Sequence, residues 1–205
     1  MIINFEVNFN TYKEKILDFY GIWDFKCPCC NAYRSFSRHA TYSRNICILC
    51  NSSTFEIIET KIVILRLMCT SCNSTHAILP ADTVPYAIYS FSCTMYVLNC
   101  IFAEDKTVLN IVEQLKISYQ LIYAFIKRFN QCFAPCINFL RVFIASQLDF
   151  NASPKAILTA IHMNFDLINF QYQYLNFAKS VFLMSRSQNI SSKRLCVGSY
   201  FKPPT

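Results

Sequence analysis

Two pairs of cysteines in this sequence have the spacing of metal ligands. Cys27 and Cys30 form the first Cys-x-x-Cys pair, and Cys69 and Cys72 form the second. A Cys-x-x-Cys turn lets two sulfur atoms reach one ion, and a structural zinc site closes with four soft ligands at about 2.3 Å from the metal. These cysteines therefore predict a structural Zn²⁺ ion as the cofactor.

An asparagine follows each pair, at Asn31 and Asn73. The turn that brings the two sulfurs of a pair together needs a residue that tolerates the left-handed backbone conformation at this point. Glycine adopts that conformation at the lowest cost, and asparagine is the usual substitute. We therefore expect a left-handed backbone at both asparagines.

A third Cys-x-x-Cys pair lies between the other two. Cys47 and Cys50, followed by Asn51, stand at separations that also suit a zinc ribbon. Ile48 and Leu49 between them are typical of a strand interior, where positions i and i+3 face opposite sides of the sheet. We therefore prefer the outer pairs as ligands, and the spacing leaves open whether the inner pair binds a second ion. All these thiols could instead be buried as small hydrophobic side chains.

The segments around the cysteines favour β-structure. A strand-like start and a short helix at about 11–20 precede the first pair, and residues 55–68, rich in Ile, Val and Leu, predict a long strand that returns to the second pair. The sequence thus predicts a ribbon-like antiparallel sheet. His76 could replace one cysteine as a ligand, but because four thiolates already close a structural site, we favour a packing or outer-sphere role.

Basic residues alternate with aromatic and hydroxyl side chains between residues 34 and 44. On a regular strand, Arg38, Ala40, Tyr42 and Arg44 would share one face of the sheet. Arginines beside a zinc site could contact phosphate, so Arg38 and Arg44 are candidate DNA contacts. A solvated outer face explains the same pattern equally well.

Two helices joined by a short turn are predicted after residue 106. Thr107 can cap the first helix and Ser118 the second, and the apolar positions of both repeat at helical spacing. Lys116 and Ile117 would form the turn. This spacing is that of a helix-turn-helix, whose second helix enters the major groove of DNA, although an ordinary helical hairpin fits the same pattern. The residues predicted to face DNA are Tyr119, Gln120, Tyr123, Lys127 and Arg128.

Taken together, these motifs resemble a known family. The residues that carry the resemblance are Cys27, Cys30, Arg38, His39, Tyr42, Arg44, Arg66, Cys69, Cys72, residues 75–80 and residues 84–86. Over residues 27–129 the chain resembles a bacterial family of unknown function, whose members are similar to the zinc-ribbon and helix-turn-helix front end of insertion-sequence transposases. Ala40 stands where the family usually has glycine. The resemblance implies a zinc ribbon followed by a DNA-binding helix-turn-helix, and it implies no established activity.

Composition and charge limit the class of protein. The 205 residues carry 19 basic and 12 acidic side chains, and the formal charge of +7 suits an anionic partner or solubility alone. The first twenty residues contain charged side chains and no apolar core of a secretory signal. We therefore expect a cytoplasmic protein in which the twelve cysteines favour metal over disulfides.

Two apolar runs raise the question of a membrane. Residues 83–103 have the length of a bilayer span but include Pro85 and several polar side chains, so we favour a buried helix. Residues 131–148 are interrupted by Pro135 and Arg141 and are a weaker candidate. The predicted core face of the first run is Ile88, Phe91, Met95, Leu98 and Phe102.

The sequence predicts an α+β protein of three parts. These are a zinc-ribbon module at residues 1–82, a helical region with the helix-turn-helix at 83–130, and a C-terminal helical region with a basic tail at 131–205. Ser153 and Pro154 predict a helix start in the third part. After residue 130 only Asp149 and Asp166 remain as acids, too few for a metal-dependent strand-transfer core. We therefore expect no enzymatic activity and no small-molecule substrate.

The predicted function is zinc-stabilised DNA binding, transposase-like but without a catalytic core. The alternative is an interaction module that binds a recombinase or a second copy of the same chain. A membrane-associated protein is the less favoured third possibility.

Overall fold

The fold is α+β, as predicted. A computed structural model of the chain describes residues 2–5, 12, 16, 24, 26–51, 55–144, 148–178 and 180–184. Its strands are β1 (Ile2–Phe5), β2 (Phe36–Asn51), β3 (Phe55–Cys69) and β4 (Thr75–Pro80), in the sheet order β1-β4-β3-β2. β2, β3 and β4 are antiparallel to their neighbours, and β1 joins β4 in parallel. An antiparallel three-stranded sheet thus precedes the helices.

β2 and β3 form a long hairpin, which confirms the predicted returning strand. Their pairing runs from Phe36 opposite Cys69 to Asn51 opposite Phe55. The β-branched residues of β3 suit a pleated surface, and their side chains become buried toward the end that carries the second cysteine pair. The core of the sheet consists of Tyr12, Ile16, Ile46, Ile62, Ile64, Leu65, Leu67, Ile78 and Leu79.

A β-bulge near the start of β2 corrects the predicted faces of this strand. Arg38 lies opposite Leu67, whereas Ala40 lies opposite Arg66, so the register shifts by one residue between them. Adjacent residues of β3 point to opposite faces of the sheet, and the bulge inserts one extra residue into β2. The prediction that Arg38 and Arg44 share a face is therefore wrong.

Tyr12 binds the backbone where β3 and β4 separate. The two strands pair only between residues 66–68 and 75–77. Just beyond this pairing, the Tyr12 hydroxyl donates to the carbonyl oxygen of Ile78 at 2.8 Å and accepts from the backbone N–H of Leu65 at 3.2 Å. The side chain is fully buried, and this burial raises the pKa of its hydroxyl. Tyr12 therefore joins the backbones of β3 and β4 at the point where the pairing between these two strands ends.

The helices are α1 (Phe91–Phe102), α2 (Val108–Leu115), α3 (Tyr119–Phe143), α4 (Pro154–Asn164) and α5 (Leu167–Ala178). The first four begin at a hydroxyl cap. The side chains of Ser90, Thr107, Ser118 and Ser153 each accept a hydrogen bond from the backbone N–H three residues later. The predicted caps at Thr107, Ser118 and Ser153 are confirmed.

The start of α1 differs from the prediction. The apolar run led us to expect Ile88 on the buried face of a helix, but α1 begins at Phe91 and the Ile88 side chain is 57% exposed. Residues 88–90 instead bind β2: the N–H of Cys47 donates to the Ile88 carbonyl, and the N–H of Ser90 donates to the Cys47 carbonyl, both at 2.8 Å. Pro85 also disfavours a helical backbone at the preceding residue.

An aromatic core holds the helices together. The rings of Phe139, Phe170, Tyr174 and Phe182 contact one another with centroid separations of 5.0 to 5.8 Å. α3 contributes buried residues along most of its 25-residue length and includes Pro135. The helix is continuous across residue 130, where the sequence placed a boundary between two regions.

The helices were also compared with the length and composition of a membrane span. Within residues 91–178, apart from the undescribed 145–147, no helix has both the length and the apolar character needed to cross a bilayer. The predicted basic tail and most of the predicted helix at 11–20 lie outside the described residues.

Removal of the Tyr12 hydroxyl should destabilise the sheet. Tyr12→Phe should lower the free energy of unfolding by about 1–3 kcal/mol, because the Leu65 N–H and the Ile78 carbonyl would lose their hydrogen bonds to the buried hydroxyl. Urea unfolding at a fixed metal concentration measures this change. Tyr42→Phe is the matched control, since that side chain is 41% exposed. Equal stability of the two variants would contradict the assigned role of Tyr12.

Candidate functional site

The two outer cysteine pairs adopt matching backbone turns. In the first, the N–H of Asn31 donates to the Cys27 carbonyl at 2.8 Å, and in the second the N–H of Asn73 donates to the Cys69 carbonyl at 2.8 Å. Both asparagines are left-handed, with φ of 59° and 56°. The conformation expected from the sequence is confirmed at both positions.

The turns bring four sulfur atoms together. The Sγ atoms of Cys27 and Cys72 are 3.7 Å apart, as are those of Cys30 and Cys69, and all four lie within 4.8 Å of one another. A disulfide would need about 2.05 Å, so these are free thiols. Tetrahedral coordination at about 2.3 Å would place the sulfurs about 3.8 Å apart. The cluster could therefore hold a metal ion.

The sulfurs differ in their surroundings. The Cys27 thiol is buried, and burial raises its pKa to about 12. Hydrogen bonds from the side chain and backbone of Ser74 lower the pKa of Cys72 to about 6. A metal ion binds thiolates, so it must displace a proton from Cys27, whereas Cys72 already favours the ionised form at neutral pH. The sequence analysis did not identify Ser74 as a partner of Cys72. The hydroxyl residue directly after Asn73 is the signal that could have indicated it.

His76 lies beside Cys27, the buried cysteine of the cluster. Its side chain is fully buried, and burial lowers its pKa to about 4, so the ring is neutral at pH 7. Nε2 lies 3.5 Å from the Cys27 sulfur, and the Phe36 ring meets the imidazole edge to face. A proton on Nε2 would form an N–H···S hydrogen bond, the contact typical of residues that orient a metal ligand.

A second set of potential ligands includes His76. Cys27, Cys29 and His76 also offer ligand atoms within 4.8 Å of one another. Because Cys27 belongs to both sets, its sulfur atom would bind an ion in only one of them at a time. Four thiolates from two equivalent turns make the more symmetrical set, and we assign His76 to the outer sphere.

The inner cysteine pair is built into a strand. Cys47 and Cys50 belong to β2, where they pair with Glu59 and Glu56 of β3. Neither joins a potential metal cluster within the described part of the chain. This placement agrees with the preference for the outer pairs.

The helix pair α2 and α3 has the predicted turn. Lys116 is left-handed, with φ of 54° and ψ of 39°, and its N–H donates to the Val112 carbonyl. Ile122, Phe125 and Phe129 of α3 are buried in the helical core. On the opposite side, Tyr119, Gln120, Tyr123 and Lys127 are exposed, and Arg128 is half-buried.

The two arginines of β2 lie in different environments. Arg38 is exposed. Arg44 is half-buried, and its Nη2 donates to the carbonyl oxygens of Val84, at 3.3 Å, and Ala87. Burial lowers the pKa of the Arg44 guanidinium.

The fold and the cluster define an α+β protein with a candidate four-cysteine metal centre. Residues 27–112 match the model of a domain of unknown function (DUF6431). The match begins at Cys27, includes both outer cysteine pairs and ends within α2, so α3 lies beyond it. No curated protein and no solved structure matches the chain. These comparisons identify a domain without an assigned activity and show no relationship to transposases.

Metal content tests the choice between cysteine pairs. We expect the purified protein to hold one metal ion per chain, and Cys69→Ser to lose most of it because one of four thiolates is removed. Cys50→Ser is the matched control and should retain the ion. Elemental analysis of both variants after gel filtration gives the answer. Loss of metal from Cys50→Ser alone would assign the site to the inner pair.

A substitution at His76 separates ligand from outer-sphere roles. His76→Leu should leave one metal ion per chain but raise the rate of its loss to a chelator about 10-fold, as for other residues that support a ligand. His76→Gln keeps an N–H donor, so its rate of metal loss should lie between those of the parent protein and His76→Leu. A fall in stoichiometry in His76→Leu would mean that His76 is itself a ligand.

Proposed function

We propose that this protein is a zinc-stabilised DNA-binding protein without enzymatic activity. Zinc binding is supported by four sulfur atoms that come together from two turns, each of which ends in a left-handed asparagine. DNA binding is supported by the exposed polar and aromatic residues at the start of α3.

Zinc is the ion best suited to this cluster. Four thiolates at tetrahedral separations favour Zn²⁺ in a closed structural site, whereas calcium and magnesium require oxygen ligands. The ion would join the turn before β2 to the turn after β3. The backbone supports the same connection, since the N–H of Thr70 donates to the carbonyl of Ser35 at 2.9 Å. In this arrangement zinc acts structurally, as the clamp of a zinc ribbon.

The DNA-binding half rests on α2, its left-handed turn and α3. In a helix-turn-helix, the N-terminal residues of the second helix lie at the base edges in the major groove. Tyr119 and Tyr123, one helical turn apart, are 43% and 59% exposed on this part of α3. Gln120 can pair with adenine through two hydrogen bonds, and Lys127 suits a phosphate. The resemblance to the front end of insertion-sequence transposases favours the same assignment.

The chain would act by binding alone. The acidic residues after α3 are Asp149 and Asp166, which cannot supply the carboxylate set of a two-metal strand-transfer centre. We therefore infer a transposase-like binding protein that lacks a catalytic core.

Three exposed apolar side chains favour protein binding as a second function. Val142, Phe143 and Phe177 are 67%, 45% and 37% exposed, and the rings of Phe143 and Phe177 contact each other at 6.0 Å. Adjacent exposed apolar side chains are typical of protein interaction surfaces. Binding of a recombinase or of a second copy of this chain is the alternative. Association that persists at high salt and ignores DNA competitor would favour it.

The salt dependence of DNA binding tests the proposal. Lys127→Ala should weaken binding to mixed-sequence duplex DNA and reduce the slope of log affinity against log salt by about 1, because one phosphate contact is lost. Lys61→Ala, an exposed lysine on β3, is the matched control and should keep the slope. Fluorescence anisotropy of labelled duplex over a series of salt concentrations measures both. An unchanged slope in Lys127→Ala would remove this contact, and no affinity in the parent protein would reject the DNA-binding function.

A further inference from the structure

An open cleft lies on one face of the sheet, and the four cysteines of the cluster are not among the described residues that line it. Its volume is about 670 Å³, and it is bounded by β2, β3, β4 and the segment that leads to α1. Binding sites for small molecules commonly have volumes of about 300–1,000 Å³. The residues important to its chemistry are Tyr42, Arg44, Arg66, Tyr86 and Ile88.

Arg44 fixes the wall of the cleft. Its hydrogen bonds to the carbonyls of Val84 and Ala87 hold the segment around Tyr86 against the sheet. Tyr86 has φ of 62°, a left-handed conformation that is uncommon for a bulky residue. Its ring is nevertheless 60% exposed, so the unfavourable backbone is not offset by burial of the side chain. Such conformations are concentrated at binding sites.

The cleft carries positive charge without a matching carboxylate. Arg44 and Arg66 both line it and both are half-buried, and no acidic residue is among the described residues that line it. The contacts that the structure assigns to them are uncharged: backbone carbonyls for Arg44, and the Thr75 hydroxyl, at 2.8 Å, for Arg66. Partly buried charges are costly unless paired, so two guanidinium groups here favour an anion. Planar guanidinium groups suit the oxygens of a phosphate.

Aromatic surface adjoins this charge. Tyr42 and Tyr86 are 41% and 60% exposed and line the same cleft, with Ile88 beside them at 57%. Exposed tyrosine rings stack on nucleic-acid bases in a manner that tolerates any base. A ligand that combines a phosphate with a planar ring would satisfy both features.

We propose that this cleft binds a nucleotide, with its phosphate on Arg66 and Arg44 and its base against Tyr42 or Tyr86. The ligand is either a free mononucleotide or one nucleotide of a single-stranded nucleic acid, which share this chemistry. The proposal is for binding alone, since the described residues that line the cleft include no cysteine, histidine or carboxylate. It is separate from the α3 surface, so duplex binding through α3 is not required for it.

Calorimetric titration of the full, metal-loaded chain tests this site. The ligands are adenosine monophosphate, adenosine, inorganic phosphate and a short single-stranded oligodeoxyadenylate. Saturation by the mononucleotide would identify a free nucleotide, and saturation by the oligonucleotide alone would identify a strand. Adenosine and phosphate should each bind more weakly than the complete nucleotide, since each makes half of the contacts.

Variants at the cleft complete the test. Arg66→Gln should weaken binding at least about 10-fold, since a charged hydrogen-bond partner is lost. Tyr86→Asn removes the ring but suits the left-handed backbone, so it should fold normally and weaken binding about 5-fold or more. Tyr123→Ala and Lys127→Ala on α3 should leave binding of the mononucleotide unchanged, which separates this site from the duplex-binding surface. No binding of either nucleotide ligand, or binding equal to the parent in both cleft variants, would overturn the proposal.

Discussion

The meeting of four cysteine sulfurs constrains the rest of this structure. Cys27 and Cys30 precede β2, Cys69 is the last residue of β3, and Cys72 follows it, so one ion bound to all four would join the start of β2 to the end of β3 at the open end of the hairpin. The turns that carry the sulfurs use asparagine in the left-handed conformation. Because a bound ion stabilises the folded chain only where all ligands meet, an ion in this cluster would link metal binding to formation of the sheet.

Hydrogen bonds from β2 connect the sheet to the helices. The backbone of Cys47 pairs with residues 88 and 90, and the Arg44 side chain binds the carbonyls of Val84 and Ala87. Asp82 completes the connection, since its carboxylate accepts from both the N–H and the hydroxyl of Ser92 in the first turn of α1. These contacts fix the segment between sheet and helices, and they also create the cleft beside Tyr86. The same arginine therefore supports the fold and supplies charge to the proposed binding site.

Local patterns in the sequence predicted the parts of the structure that depend on local interactions. Asn31, Asn73, Thr107, Ser118 and Ser153 each act within a few residues of their own position, and the structure places all of them as expected. The outward position of Tyr119 and Tyr123 also follows from helical spacing alone. The Cys-x-x-Cys pairs predicted the two cysteine turns for the same reason, because each turn is a local structure.

Other features depend on contacts between distant residues, and the sequence could not predict them. Ile88 fits a helical repeat, but hydrogen bonds to Cys47 hold its segment against β2. The bulge that turns Arg38 to the other face is visible only in the register between two strands. The cleft joins Tyr42 to Tyr86 across β3 and β4, so neither its shape nor the meeting of Arg44 and Arg66 in it could be seen in a linear pattern.

The central claim is that Cys27, Cys30, Cys69 and Cys72 hold one structural zinc ion. X-ray absorption at the zinc edge, on the purified full chain, tests it most directly because it reports the atoms bound to the metal. We predict a first shell of sulfur alone, with about four neighbours at about 2.3 Å. A shell that contains nitrogen or oxygen would place His76 or water among the ligands and contradict the four-thiolate site, and a protein without zinc would contradict the claim altogether.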